Sequence, residues 1–314
     1  MTKDLAYYQK AFSTLRRNRE NGGAPHKPIL LLSVLRLFQS GDLLSSEIKP
    51  SPLLFHTFKH LWIKLVPASV PFNPTFYYPF FHLGSESFWK LVPKPGKCIP
   101  TGIGSFFQLN DCVAFAIIDR SLSDFMMNPV CNTILEKTLV EQYFNIPYCS
   151  YTQISIPPLE TALIKQIVDS GVQKNKMVAR DADENNYMRG QAFKVVIPQI
   201  YDHTCAISRL RLNSFDKSIS MVDACHIIPF SESHDDSVGN GIALCPNLHR
   251  AFDRGLISIS DDYTVLVNCN FAEDSNSVFA LSQFEGQPIK LPYNESFYPN
   301  RDCLAAHRAR WGFR

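Results

Sequence analysis

The chain has 314 residues, 45% of them hydrophobic, and a formal net charge of +2. This length favours two domains, and the apolar content is that of a globular protein with sizeable cores. The longest apolar run, at residues 29–32 with their neighbours, is far too short for a membrane span, and the N-terminus opens without a signal-peptide core. Nine cysteines without paired spacing fit reduced thiols. We therefore expect a cytoplasmic protein without a membrane partner.

Charge is divided unevenly along the chain. Residues 1–158 carry 15 Lys and Arg against 10 Asp and Glu, whereas residues 191–314 carry 11 against 14. A surface that binds nucleic acid needs cationic side chains, so the front of the chain is the better candidate for it.

Helical spacing of apolar residues predicts helices at residues 5–19, 29–39 and 53–65. The following stretch, residues 72–91, is rich in aromatic residues and proline, which predicts strands and turns. A further strand is predicted at residues 113–118 and a further helix at residues 132–143. Pro157-Pro158 then ends this first region.

The middle of the chain predicts a connecting helix at residues 161–168 and, at residues 172–189, a polar interdomain linker of mixed charge. The resulting boundaries are residues 1–158, 159–190 and 191–314. Near the C-terminus, residues 256–259 and 264–267 predict a hairpin. A last helix is predicted at residues 300–312 and carries His307, Arg308 and Arg310. These side chains either contact phosphate or form a solvated helix face.

The most informative stretch is residues 223–255, in which His226, Asn240 and His249 are separated by 14 and 9 residues. A short strand that Pro229 terminates is predicted to carry His226. Pro246 and Gly255 bracket a predicted helix. Residues 218–222, in a hairpin with residues 204–207, are expected to supply a preceding strand.

These residue types suit the hydrolysis of a phosphodiester. The imidazole of His226 can take a proton from water near neutral pH, and Asn240 can orient that ring through hydrogen bonds across the loop. His249 and Asp253, four residues apart, share one helix face and can hold one divalent ion. Such mixed nitrogen and oxygen ligation fits Mn, Mg, Co or Ni better than a thiolate-bound zinc.

Residues 189–255, including the runs at 192–193 and 201–208, resemble the HNH endonuclease family, which implies a ββα-metal nuclease domain. Members of that family usually place an aspartate or histidine ligand directly before the general base, whereas this chain has Cys225. Three alternatives follow: Cys225 ligates the metal, Asp223 does, or the ion rests on His249, Asp253, phosphate and water. Asp223 is slightly favoured, because residues two apart lie on the same side of a strand.

Many HNH enzymes also bind a structural zinc through two Cys-x-x-Cys pairs. In this chain Cys205 is followed by Ser208 and Cys245 by Leu248, so each pair keeps one cysteine. We expect no structural zinc, and we expect Cys205 and Cys245 to be small buried hydrophobic residues.

The front of the chain contains His26-Lys27-Pro28 before an apolar run, the motif at residues 78–83, and residues 88–91. With Tyr143-Phe144, these segments make residues 5–147 similar to the sulphur-recognising domain of McrA-type, phosphorothioate-dependent restriction endonucleases. The resemblance implies that the domain binds DNA in which sulphur replaces a non-bridging oxygen. The DNA-binding residues that it implies are Lys27, His82, Ser85 and Tyr143. Family members usually place an arginine after the His-Leu pair, whereas this chain has Gly84.

Together these features predict an α+β protein with a mixed DNA-recognition domain (1–158), a linker (159–190) and an HNH domain (191–314). We expect a modification-dependent restriction endonuclease that acts on double-stranded DNA. Because one HNH site nicks one strand, double-strand cleavage predicts a homodimer or two binding events. Cys225 leaves open a DNA-binding protein with an inactive HNH domain. Gly84 leaves open an HNH endonuclease that reads another modification or unmodified DNA.

Overall fold

The protein is described by a computed structural model that covers residues 3–159, 179–214, 220–274 and 277–313. It divides into two compact units, the first comprising the described residues up to Leu159 with 179–185, and the second those from Asn186 onward. Both combine helices with small antiparallel sheets, which confirms the α+β class. The helix expected at residues 161–168 lies outside the described residues. No helix within the described ranges has the length and apolar character needed to cross a membrane.

The first unit packs helices around a small sheet whose antiparallel strands follow the order β1-β3-β2. Its elements in chain order are α1 (Leu5–Ser13), α2 (His26–Ser40), β1 (Glu47–Ile48), α3 (Pro52–Leu65), α4 (Tyr77–His82), β2 (Trp89–Pro93), α5 (Phe106–Cys112), β3 (Val113–Ile118), α6 (Arg120–Met127), α7 (Pro129–Tyr143) and α8 (Tyr148–Thr152). The helices predicted at 29–39, 53–65 and 132–143 and the strand at 113–118 are thereby confirmed.

The first helix is shorter than the sequence pattern predicts. Asp4 caps it by accepting a hydrogen bond from the Tyr7 amide, and it ends at Ser13 rather than at residue 19. The Leu15 amide donates to the hydroxyl of Tyr143 on α7 instead of continuing the helical ladder. A tertiary contact therefore replaces the helical turn that local periodicity predicts.

The strands and turns predicted across residues 72–91 are wrong in part, because residues 77–82 form α4 and β2 begins only at Trp89. Tyr77, Phe80 and Phe81 are buried, and their spacing is that of one helix face. Pro79 lies in the first turn, where a missing amide proton costs little. Aromatic and proline content thus gave the wrong prediction for these residues, whereas the spacing of the buried aromatic residues fits the helix that forms.

Residues 179–189 of the predicted linker belong to α9 (Ala179–Ile200). The apolar spacing that marks a helix appears only late in it, at Phe193, Val196 and Ile197, all buried. The preceding turns are polar and give no such signal.

The second unit is built on two short antiparallel pairs. Its further elements are β4 (Asp223–His226), α10 (Phe230–Ser233), β5 (Gly241–Leu244), α11 (Pro246–Asp253), β6 (Ile257–Ile259), β7 (Val265–Val267) and α12 (Arg301–Trp311). β4 pairs with β5, and β6 pairs with β7. The hairpin predicted at 256–267 and the last helix are confirmed.

The second strand of the ββα unit is β5, not the predicted strand at residues 218–222, part of which lies outside the described residues. Residues 204–207 form an irregular segment and a turn instead of a strand, and the Ala206 amide donates to the carbonyl of Ala243 on β5 at 2.7 Å. All four residues of β5 are buried, so the strand lacks the apolar and polar alternation that would reveal it.

The helix α11 begins and ends as its sequence predicts. Pro246 occupies its first turn, and Gly255 follows its end with φ +66°. A Cβ atom at Gly255 would collide with the ring of Trp311 on α12. The close approach of the C-terminal helix therefore requires glycine there.

His307 of α12 is buried and belongs to the core, which corrects the expectation that it touches phosphate or solvent. Its Nδ1 lies 2.8 Å from the Ser258 hydroxyl, its Nε2 donates to the Phe252 carbonyl at 3.1 Å, and its ring stacks on Phe252. The neighbouring Arg308 and Arg310 are paired with Asp261 and Glu232. The helix is thus fastened to the end of α11 by a neutral imidazole.

Burial lowers the pKa of His307 to about 4, below its ordinary value near ~6.5. Between about pH 6.5 and pH 4 the unfolded state binds a proton that the folded state does not. The free energy of unfolding therefore decreases as the pH is lowered through this range, by roughly 3 kcal/mol in total. Urea denaturation at a series of pH values measures this slope. His307→Gln should flatten it, whereas His234→Asn, at an exposed histidine, should not; equal slopes in the two variants would contradict the assignment.

Candidate functional site

His226 is the last residue of β4 and lies opposite Gly241 of β5. Its ring stacks on Phe193 of α9, with centroids 3.8 Å apart and planes 6° from parallel. Its Nε2 lies 2.8 Å from Oδ1 of Asp236, which is buried. One face and one edge of the imidazole are therefore held by other side chains, while the ring remains partly exposed.

The fully buried Asn240 acts on the backbone around His226 rather than on its ring. Its Oδ1 accepts from the Ile228 amide at 2.8 Å, and its Nδ2 donates to the carbonyls of Ile228 and Asp235, each at 2.9 Å. The ring of His226 is hydrogen-bonded to the carboxylate of Asp236 and not, as expected from the sequence, to Asn240. Asn240 joins the end of β4 to the loop that carries Asp236.

Three donor atoms meet beside the end of β4, from Cys225, His249 and Asp253. All three lie within 4.8 Å of one another, and together they could hold a metal ion. His249 Nε2 lies 3.4 Å from Asp253 Oδ2, as the four-residue spacing on α11 predicts, and Cys225 Sγ lies 3.8 Å from Asp253 Oδ1. Sulphur, nitrogen and oxygen donors of this kind fit a divalent transition ion.

Asp223 contacts the other side of the same imidazole. Its Oδ2 lies 3.5 Å from His249 Nδ1, and its side chain is exposed. Cys225, in contrast, is fully buried, and burial, followed by the nearby Asp253 carboxylate, raises the pKa of its thiol. Asp223 and Cys225 both contact the His249–Asp253 pair, as residues two apart in a strand can.

The two cysteines left from the zinc-binding pattern lie together in the core. Cys205 and Cys245 are buried, and Ser208 Oγ lies 3.8 Å from Cys245 Sγ. A hydrogen bond from the Cys245 thiol lowers the pKa of Cys205. Cys205 and Cys245 are therefore small buried residues, as the sequence predicts, and they are also hydrogen-bonded to each other.

In the first unit, a cavity of about 670 Å³ brings together three of the predicted DNA-binding residues, Lys27, His82 and Ser85. Its other lining residues are cationic, aromatic or small: Arg16, Arg17, Asn18, Ala24, His26, Phe72, Tyr78 and Pro79. The ring of His82 stacks parallel to that of Tyr78, with centroids 6.0 Å apart. An apolar wall and positive side chains thus face one space.

Lys27 is buried and is not free to give its full charge to a ligand. Its Nζ donates to Ser85 Oγ at 2.9 Å and forms an ion pair with Glu86 Oε1 at 2.7 Å. Burial lowers the pKa of Lys27, although Glu86 opposes this effect. Burial also lowers the pKa of His82, and Lys27 adds to the shift. The net positive charge of the cavity therefore rests mainly on Arg16 and Arg17.

Tyr143, the fourth predicted DNA-binding residue, is not among the residues that line this cavity. Its hydroxyl accepts from Leu15, and its ring lies 4.6 Å from the guanidinium carbon of Arg17. Gly84 lines a neighbouring cavity with Arg16 and Ser85. Tyr143 therefore contacts Arg17, which lines the cavity.

Sequence reasoning missed Asp236, Glu86 and the two cavity arginines. Asp236 stands in an acidic loop, and a loop has no periodicity from which a contact with His226 could follow. Glu86 and Arg16 lie in separate segments that only the tertiary fold brings to Lys27 and the cavity. The one available signal was the pair Asp235-Asp236 shortly before Asn240.

The comparisons with known proteins agree with the geometry of the second unit. Residues 205–260 match the model of a family described as HNH endonuclease, and this range contains β4, β5 and α11. The chain therefore contains an HNH endonuclease domain within residues 205–260.

Among solved structures, the chain is similar to one titled "Modification dependent TagI restriction endonuclease". The identity is 22%, the match covers 36% of this chain and 35% of that chain, and the TM-score is 0.28. The chain thus spans about a third of that protein's length. No curated protein sequence matches it.

Because Gly241 has no side chain, the ring of Phe193 can pack against this residue while it stacks on His226. A Cβ atom there would lie 2.9 Å from Phe193 Cε2 and would also collide with the Ile197 side chain. We expect Gly241→Ala to lower the free energy of unfolding by about 1–3 kcal/mol, the usual effect of overpacking, and to reduce DNA cleavage. Thermal unfolding and a nicking assay measure the two effects.

The matched control is Gly190→Ala in α9, where a Cβ atom meets nothing within 4 Å. Because alanine favours a helix over glycine, this variant should be as stable as the parent protein or more so. A Gly241→Ala variant with the thermal stability of the parent would contradict the packing argument.

Proposed function

We propose that the protein is a modification-dependent DNA restriction endonuclease whose first unit reads phosphorothioated DNA and whose HNH domain cuts nearby. The observation that supports this most is the cavity of the first unit, in which an apolar wall and cationic side chains face the same space. Sulphur is larger and less well hydrated than oxygen, so such a wall favours it. The cationic side chains compensate the negative charge of the modified phosphate.

In the proposed reaction, His226 takes the proton of the attacking water and Asn240 maintains the backbone that carries it. His249 and Asp253 hold one divalent ion, with Cys225 or Asp223 as the further contact. When bound, the ion supplies charge stabilisation to the phosphate and the leaving oxygen. The further contact is either the buried thiol of Cys225 or the exposed carboxylate of Asp223. The candidate ions are Mn, Mg, Co and Ni.

Tyr78 and Pro79 supply the apolar part of the proposed reading site, and Arg16 and Arg17 supply the charge that Gly84 lacks. This assignment agrees with the ion pair between Lys27 and Glu86, in which the carboxylate compensates the positive charge of the lysine.

A second candidate is an HNH endonuclease that reads a different modification or none. Gly84 favours it, because a glycine offers no guanidinium to the modified phosphate. We retain phosphorothioate as the first proposal, because the cavity keeps its apolar wall.

A single HNH site cuts one strand, so the proposal includes a homodimer or two successive binding events for double-strand cleavage. Its place of action is proposed to be the cytoplasm, where modified foreign DNA would be met.

We expect His226→Ala to lower the cleavage rate by about 100-fold or more while leaving the DNA dissociation constant unchanged, because a general base acts on the reaction and not on binding. His249→Ala should lower both the cleavage rate and the affinity for Mn²⁺. A plasmid-nicking assay, DNA-binding anisotropy and Mn²⁺ titration measure these effects.

His234→Ala is the control for loss of an exposed histidine in the same unit and should cut like the parent. If His226→Ala also cuts at the parent rate, His226 is not the base. If the parent binds DNA but cuts it with none of the four metals, the inactive-domain alternative is correct.

The reading site is tested by Tyr78→Ala, which removes the apolar wall. The parent should bind phosphorothioated DNA roughly tenfold more tightly than plain DNA of the same sequence, a typical effect of one apolar contact. The variant should lose that ratio. Anisotropy with plain, phosphorothioated and methylated duplexes at one salt concentration measures it.

Tyr293→Ala, at a highly exposed tyrosine of the second unit, should retain the ratio. A parent that binds plain and phosphorothioated DNA equally would contradict sulphur reading without affecting the endonuclease assignment. A preference for methylated DNA would favour the second candidate.

A further inference from the structure

The carboxylate of Asp236 is the polar partner of the His226 ring. Oδ1 of Asp236 lies 2.8 Å from Nε2 of His226, and only 7% of the Asp236 residue is exposed. An ionised carboxylate can only accept hydrogen bonds. The contact therefore requires that Nε2 of His226 carries a proton and donates it to Asp236.

The position of this proton decides which nitrogen can act as a base. A neutral imidazole carries one proton, so a ring protonated at Nε2 has its lone pair at Nδ1. Stacking on Phe193 restrains the tilt of the ring, and the hydrogen bond to Asp236 restrains its rotation. Two contacts in different directions thus select one tautomer and one orientation.

Asp236 is itself held in place from both sides. The preceding carbonyl, of Asp235, accepts a hydrogen bond from Asn240 at 2.9 Å, and the following amide, of Ser237, donates to the Asp235 carboxylate at 2.8 Å. Asn240 also binds Ile228, two residues after His226. The same amide therefore fixes the segments on which both members of the His226–Asp236 pair stand.

Burial makes a purely structural role a poor explanation for Asp236. A carboxylate removed from water loses hydration, and a single partly exposed imidazole returns only part of it. A neutral residue of the same size would satisfy the packing of the loop at lower cost. The carboxylate is suited instead to fixing a proton on the ring that it contacts.

We propose that Asp236 is a positioning residue that holds His226 with its proton on Nε2 and its Nδ1 free to accept the proton of the attacking water. The inference rests on the proposed function, in which His226 is the general base. It assigns to Asp236 the direct control of the ring, and to Asn240 the control of the backbone on either side.

The test compares Asp236→Ala and Asp236→Asn with the parent chain and with Asp262→Asn, which removes one carboxylate from an exposed turn of the same unit. The alanine variant should lower kcat by about 100-fold, the contribution of a well-placed base, with KM and the DNA dissociation constant within twofold of the parent. The asparagine variant preserves the shape of the side chain, but its amide can donate or accept. It should also lose kcat, by about tenfold or more, at the parent's thermal stability.

The second readout is the ring itself. Long-range ¹H–¹⁵N correlation spectra of ¹⁵N-histidine-labelled protein, recorded near about pH 8.5 where ordinary histidines are neutral, report which nitrogen is protonated. The His226 signals are identified by their loss in His226→Ala. We expect a proton on Nε2 in the parent and a mixture of tautomers in both Asp236 variants.

A kcat equal to that of the parent in either Asp236 variant overturns the proposal, and so does a parent ring protonated at Nδ1 or an unchanged tautomer in Asp236→Ala. The spectra do not depend on cleavage. If the parent cuts no DNA, the proposed function fails, while the spectra still decide whether Asp236 sets the tautomer.

Discussion

The hydrogen bonds of the Asn240 side chain hold together the two segments that carry His226 and Asp236. This buried amide joins Ile228, just beyond β4, to Asp235, in the loop that leads to β5. An unsatisfied buried amide or carbonyl costs about 1–3 kcal/mol, so losing this side chain would leave several such groups without partners. The position of His226 and of its partner Asp236 both depend on it. A residue that contacts only backbone groups can thus be as important for the site as the proposed base, His226.

The sequence predicts the parts of this site that follow from local rules. The strand before Pro229, the helix from Pro246 and the shared face of His249 and Asp253 all rest on spacing and on residues that begin or end an element, and the structure has them. β5 was missed, because a strand buried on all its residues has no alternation to detect. The pairing of His226 with Asp236 was missed for a different reason, since it joins residues across a loop without periodicity.

The first unit shows the same limit in another form. Aromatic and proline content predicted strands where α4 forms, although the buried residues had helical spacing. The cluster of Lys27, His82 and Ser85 came from a family resemblance, and the structure does bring these residues to one cavity. The ion pair of Lys27 with Glu86 could not be predicted, because it depends on how α2 packs against the segment after α4. Charge counted along the sequence therefore overstates the charge that the cavity can offer.

Two positions depart from the family patterns, and at both the fold brings a charged residue close by. Cys225 replaces an expected ligand, but Asp223 lies on the same strand as Cys225, and its Oδ2 is 3.5 Å from Nδ1 of His249. Gly84 replaces an expected arginine, but Arg16 and Arg17 line the cavity from the segment after α1. A substitution at a motif position thus does not by itself remove the charge from a site. The relevant question is which side chains the fold can direct into the same space, and here neighbouring elements supply them in both units.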